Sequence, residues 1–134
     1  MAREMTPELI VLALACGLLL VHLFAAIRLK TQQYGTQWNM GARDEDLPPL
    51  NPVAGRLARA QANYQETFPV AAALLLALVV AQRTSDVTAI AAWVWLAARV
   101  IYLPLYWTGV PKVRTLVWSV ALLALLVLLG GLLV

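Results

Sequence analysis

Charge is scarce in this sequence. Only 13% of its 134 residues are charged and 62% are hydrophobic, against about 25% and about 45–50% in soluble domains. The mean hydropathy is +0.77. Those figures exclude a soluble globular fold, and they exclude intrinsic disorder, which needs low hydrophobicity. Cysteine and histidine occur once each. One cysteine cannot form an intrachain disulfide, and the pair cannot supply a zinc-ligand set, so no metal is expected. There are no internal repeats and no dense basic tract. The net charge is +3, and the bases flank apolar runs, so they read as topology signals and no nucleic-acid partner is expected.

What is present is apolar sequence in four membrane-length pieces. Leu9 to Ile27 contains no charge and, as a helix, spans about 28 Å, close to the hydrocarbon thickness of a bilayer. Thr6-Pro7-Glu8 before it reads as an N-cap, a proline in the first turn and an acid at the positive helix end. The apolar run is too long and its N-terminal flank too weakly basic for a cleaved signal peptide, so a retained helix is expected. The reading is a single all-α domain over residues 1–134, with helices at about 7–28, 56–81, 87–107 and 113–133. Residues 29–55, which include Gly35, Gly41, Pro48, Pro49 and Pro52, are expected to form a long loop. Loops of that length are usually functional or mobile.

Topology follows from the bases. Arg28, Lys30, Arg43, Arg56, Arg59, Lys112 and Arg114 flank one set of membrane ends, and Arg3 and Arg83 the other. The positive-inside rule puts the first group in the cytoplasm and both termini on the opposite side of an integral, multi-pass membrane protein.

Two helix faces carry polar chemistry inside this apolar frame. Arg56, Arg59, Asn63 and Glu66 fall at spacings of +3, +4 and +3, one face of the second span. Arg99, Tyr102 and Tyr106 fall at +3 and +4 on the third. Arg99 is the one charge within that apolar span and costs a few kcal/mol unless paired. Glu66 is its natural carboxylate partner, which would make a structural pair without excluding a ligand role. Arg59 and Glu66 could instead be interfacial anchors that snorkel. Arg28, Arg59 and Arg114 fall at one depth, a ring suited to bidentate carboxylate recognition; plain positive-inside residues would also account for Arg28 and Lys30.

The run Arg59-Ala60-Gln61-Ala62-Asn63-Tyr64-Gln65-Glu66-Thr67-Phe68-Pro69 resembles the helix-two signature of the MAPEG family, the membrane-associated proteins in eicosanoid and glutathione metabolism. Arg99, Tyr102 and Tyr106 resemble its second block, and four spans with a long first loop match over essentially the whole chain. The resemblance implies a homotrimeric four-helix bundle in the lipid bilayer, with glutathione as cosubstrate bound between adjacent subunits near the cytoplasmic face. By position it implies glutathione contacts from Arg28, Arg59, Gln61, Asn63, Glu66, Arg99, Tyr102 and Tyr106. Arg114 is similar to the arginine that activates the thiol, with Tyr106 the rival for that catalytic role. Thr67 stands where the leukotriene branch has tyrosine, and Tyr102 where the prostaglandin E synthase branch has histidine. These departures point to a bacterial-type microsomal glutathione transferase-like member.

The resulting expectation is a transferase or peroxidase that activates the glutathione thiolate against a lipophilic electrophile. Nearby cations favour a thiolate over a thiol, so the enzyme needs no nucleophile of its own. The alternatives are a non-catalytic membrane protein of the same fold that binds a lipid or small ligand and, with less polar lining to support it, a small-solute transporter. Cys16 is expected to be a buried, inert thiol, His22 a packing or interhelical hydrogen-bonding residue, and Trp93, Trp95, Trp107 and Trp118 interfacial or lipid-facing anchors. Asp44-Glu45-Asp46 reads as solvated loop.

Overall fold

Three of the four long helices begin where a side chain satisfies one of their first free N–H groups. In the computed structural model, which describes residues 3–134, α1 spans Pro7–Tyr34. Thr6 Oγ1 accepts from the Leu9 N–H at 3.3 Å, with Pro7 and Glu8 in the first turn. α3 spans Pro52–Val80, and Asn51 Oδ1 accepts from the Ala54 N–H at 2.9 Å. α4 spans Asp86–Thr108 and starts from a capping box between Ser85 and Thr88. It stops at Gly109, whose φ of 78° is left-handed, a conformation that costs glycine nothing. α5 spans Pro111–Leu133.

The first connection is shorter than the sequence suggests. α1 does not end near residue 28 but continues to Tyr34, because nothing in Leu29–Tyr34 breaks a helix before Gly35 takes a φ of 96°. A short helix, α2 (Thr36–Met40), follows, and α3 starts at Pro52 instead of Arg56, leaving 41–51 irregular. That stretch is tied back to α1. Gln33 Nε2 donates to the Pro49 carbonyl at 3.0 Å while Gln33 Oε1 accepts from the Asn51 N–H at 2.7 Å. Tyr34 donates its hydroxyl proton to the Pro48 carbonyl.

The four long helices run alternately up and down. α3 and α4 each contact all three other long helices, while α1 and α5 do not touch among the described residues. The cross-section is therefore a rhombus with α3 and α4 on its short diagonal. α3 buries Leu57, Ala60, Tyr64, Ala71, Leu75 and Leu78 along one stripe, the 3.6-residue period of a core-facing helix. At the end holding the chain termini, Glu8 is buried and accepts a 2.7 Å hydrogen bond from the Thr88 hydroxyl, clasping α1 to α4.

The outer surface is apolar. Phe24, Ile90, Leu116 and Leu123 are all more than half exposed. Water would not tolerate so much exposed hydrocarbon, but lipid does, and among the described residues four helices are long and apolar enough to cross a membrane. No strand occurs among them. This is an all-α, multi-pass membrane protein.

Candidate functional site

The polar groups gather where the first half of α3, the second half of α4 and the start of α5 meet. At the centre is Arg99, 1% exposed. Its Nη1 donates to Asn63 Oδ1 at 3.0 Å. Its guanidinium carbon stands 4.5 Å from the Tyr102 ring centre and 5.3 Å from that of Tyr64. Nε and Nη2 are buried with no hydrogen-bond partner. Those two nitrogens form one edge of the guanidinium fork, the edge that receives a carboxylate in bidentate pairing.

Glu66 is not the partner that charge alone suggested. It is exposed, and Arg99 spends its one hydrogen bond on Asn63. The reason is register. Asn63 and Glu66 share a helical face, but Glu66 lies most of a turn further along α3 and projects to the surface.

Toward the helix ends the chain of contacts continues. Tyr102 and Tyr106 meet edge to face at 5.5 Å, and Arg114 places its guanidinium carbon 4.5 Å from the centre of the Tyr106 ring. A small open cavity of about 160 Å³ is rimmed here by Arg56, Arg59, Tyr106, Gly109, Pro111 and Arg114. Arg56 is partly committed to structure, since its Nε donates to the Trp107 carbonyl at 2.8 Å and so caps the end of α4. The cavity wall thus supplies Arg56, Arg59, Arg114 and Tyr106, and the Tyr102–Tyr106 contact joins it to buried Arg99 with Asn63 and Tyr64. The site's chemistry is that of an anion receptor with an aromatic wall.

Arg28 and Gln61 do not join this cluster. Gln61 is two residues from both Arg59 and Asn63, about 200° around the helix, and lines a separate recess with Leu20, Phe24, Ile27, Lys30 and Arg43. Arg28 lines another with Thr31, Gln32 and Asn39. Ile27 borders both recesses, so Arg28 and Gln61 share one outer side of the α1–α3 pair. The expected ring of Arg28, Arg59 and Arg114 is therefore split within a chain between two surfaces.

The family model for the MAPEG family matches residues 9–134, which takes in the signature on α3, the Arg99 block and all of α5. The chain belongs to the MAPEG family. Searches of curated proteins and of solved structures returned no match.

Two side chains of this MAPEG protein, Trp95 and Cys16, sit differently from their sequence reading, while His22 takes the packing role expected of it. Trp95 is not a membrane anchor; it is fully buried, 6.0 Å from Tyr64. Cys16 is exposed on α1 instead of buried, because the inward stripe of that helix runs through Val11, Ala15, His22 and Ala26. His22 is buried without a hydrogen bond and stacks on Tyr64 at 4.8 Å. Tyr64 itself was missed. Its signal was its place between Ala60 and Ala71 on the buried stripe, which marked it as core but not as a neighbour of Arg99.

Proposed function

We propose that this MAPEG protein is a glutathione-dependent transferase, with peroxidase activity as a variant of the same chemistry, acting on lipophilic electrophiles. One observation carries the reading: a buried arginine with an unpartnered donor edge. A guanidinium inside an apolar bundle is costly unless compensated, and Asn63 supplies only one neutral acceptor. The compensation that fits is an anion bound from outside, and a carboxylate matches the free edge.

Glutathione has two carboxylates and supplies the attacking thiol. Arg99 and Arg59 would hold carboxylate groups, with Asn63 fixing the plane of Arg99. Arg114 lies at the mouth beside Tyr106 and would stabilise negative charge on sulfur, lowering the thiol pKa as a nearby cation does. Tyr106, within the same contact, would donate a hydrogen bond. The proton leaves to solvent through the open rim, and the sulfur attacks the electrophilic carbon from the lipid side, forming a C–S bond as the leaving group departs with its electron pair. With a hydroperoxide the sulfur attacks the terminal oxygen instead, breaking the O–O bond and releasing an alcohol; a second glutathione then reduces the resulting sulfenic acid, giving glutathione disulfide and water.

The split between the two polar surfaces supports a site between subunits. Arg28 and Gln61, which the family resemblance assigns to the same ligand, face away from Arg99 in one chain. In a cyclic assembly the α1–α3 side of one subunit would close over the α3–α4–α5 mouth of the next, and a homotrimer is the assembly the family implies. The bases around the mouth favour the cytoplasmic side, where glutathione is abundant.

The test is stopped-flow absorbance near the thiolate band, first with glutathione and then with a generic aromatic electrophile. A thiolate signal that decays on adding the electrophile is expected. Ligand binding without thiolate would favour the non-catalytic reading, and no binding would exclude glutathione.

A further inference from the structure

Arg99 is held by more than its own helix, and the residue that holds it is Tyr64. Tyr64 is fully buried on α3. Its hydroxyl donates to the Ala15 carbonyl of α1 at 2.6 Å. The His22 ring stacks on it at 4.8 Å and 24°. Phe68 stacks at 5.6 Å, and Trp95 packs at 6.0 Å from α4. Every one of these contacts restricts the ring, and the hydroxyl bond fixes its tip. The Arg99 guanidinium carbon lies 5.3 Å from the centre of this restrained ring, and 4.5 Å from that of Tyr102.

We infer that Tyr64, braced by His22 and the Ala15 carbonyl, is a positioning residue that fixes Arg99 for its anionic ligand. This rests on the proposed glutathione reading. The geometry gives the reason. A cation between two aromatic faces is attracted to both ring quadrupoles, and Asn63 ties down Nη1. Rotation of the guanidinium would break one of these three contacts, so the Nε–Nη2 edge is set before the ligand arrives. Binding then avoids the cost of ordering that side chain. Neither nitrogen of His22 has a hydrogen-bond partner, so its part is its ring face. Nothing in this role requires it to carry a proton.

The arrangement also makes α1 part of the site without placing one of its side chains on the ligand in that subunit. Ala15 and His22 lie in the middle of α1, and they act through Tyr64 on a residue of α4.

The experiment compares glutathione affinity, by titration calorimetry on the detergent-purified assembly, for Tyr64→Phe, Tyr64→Leu, His22→Phe and His22→Ala. His22→Phe keeps the ring face and should bind nearly as well as wild type, whereas Tyr64→Phe keeps the ring but loses the bond to Ala15 and should weaken binding by an intermediate factor of about threefold. Tyr64→Leu should weaken binding about tenfold, the upper end of the cost of ordering one side chain on binding. His22→Ala should weaken it by a smaller factor that His22→Phe restores. A second readout separates positioning from general damage. The Tyr64→Leu penalty should fall to less than about twofold for one of two ligands, glutathione esterified at its glycyl carboxylate or an analogue lacking the γ-glutamyl carboxylate, because the group Arg99 holds is then missing. Equal affinity of wild type and Tyr64→Leu, or an equal penalty for all three ligands, overturns the inference. If Tyr64→Leu does not assemble, the His22 pair decides: equal affinities of His22→Ala and His22→Phe overturn it. Wild type that binds no glutathione overturns both this inference and the functional reading beneath it, whereas the other negative results leave that reading standing.

Discussion

Asn63 accepts the one hydrogen bond that buried Arg99 makes, at 3.0 Å, while Glu66 on the same helical face is exposed. The two residues therefore answer differently to mutation. Asn63→Leu removes the acceptor of a buried charge and should destabilise the protein by about 1.5–3 kcal/mol. Glu66→Gln changes an exposed group and should shift stability by no more than about 0.5 kcal/mol, while weakening glutathione if Glu66 contacts the ligand. Thermal unfolding in mild detergent, paired with ligand titration, reads both. Equal destabilisation by the two substitutions would mean that Glu66 is buried against Arg99 after all.

Arg114 should matter more for sulfur ionisation than for affinity. Its guanidinium lies on Tyr106 at the mouth of the cavity, while carboxylate contacts are assigned to Arg99 and Arg59. Arg114→Ala is expected to raise the pKa of the bound thiol with only modest loss of affinity. The measurement is thiolate absorbance against pH at saturating glutathione, alongside Tyr106→Phe. A pKa unchanged in Arg114→Ala and raised in Tyr106→Phe would assign the sulfur to the tyrosine.

At the opposite end, the Glu8–Thr88 clasp should govern stability without touching chemistry. Thr88 donates to Glu8 and is also tied into the α4 capping box, so it cannot swing away. A β-carbon on Gly131 would stand 2.7 Å from Thr88 Cγ2. Gly131→Ala should therefore cost about 1–3 kcal/mol through overpacking, and Thr88→Val a similar amount by leaving Glu8 buried without its donor. Both variants, once folded, should keep the wild-type thiolate pKa. A shifted pKa would show that the two ends are coupled.

The orientation proposed from the bases is open to direct measurement. A reporter fused after Val134 should be active only when it functions outside the cytoplasm, and a tag inserted in 41–51 should be reached from the cytoplasm. Activity of the Val134 fusion in the cytoplasm would reverse the topology and move the site to the other face.

The sequence by itself determined the class of this protein. Scarce charge and four apolar runs leave a helical membrane bundle as the way to satisfy every backbone polar group in lipid, and the cap at Thr6 marks the start of α1 through a local hydrogen bond. Site residues were legible as helical faces, since the +3 and +4 spacing of Arg59, Asn63 and Glu66 is a local property. Tertiary structure decided which members of those faces meet. Asn63 rather than Glu66 reaches Arg99, Arg28 and Gln61 lie apart from Arg114, and Trp95 turns inward, because each depends on the rotation and depth of one helix against another. Tyr64 shows the same limit from the other side. Its contacts with Ala15, His22, Trp95 and Arg99 join three helices, and no spacing along one chain segment encodes a meeting that packing alone brings about.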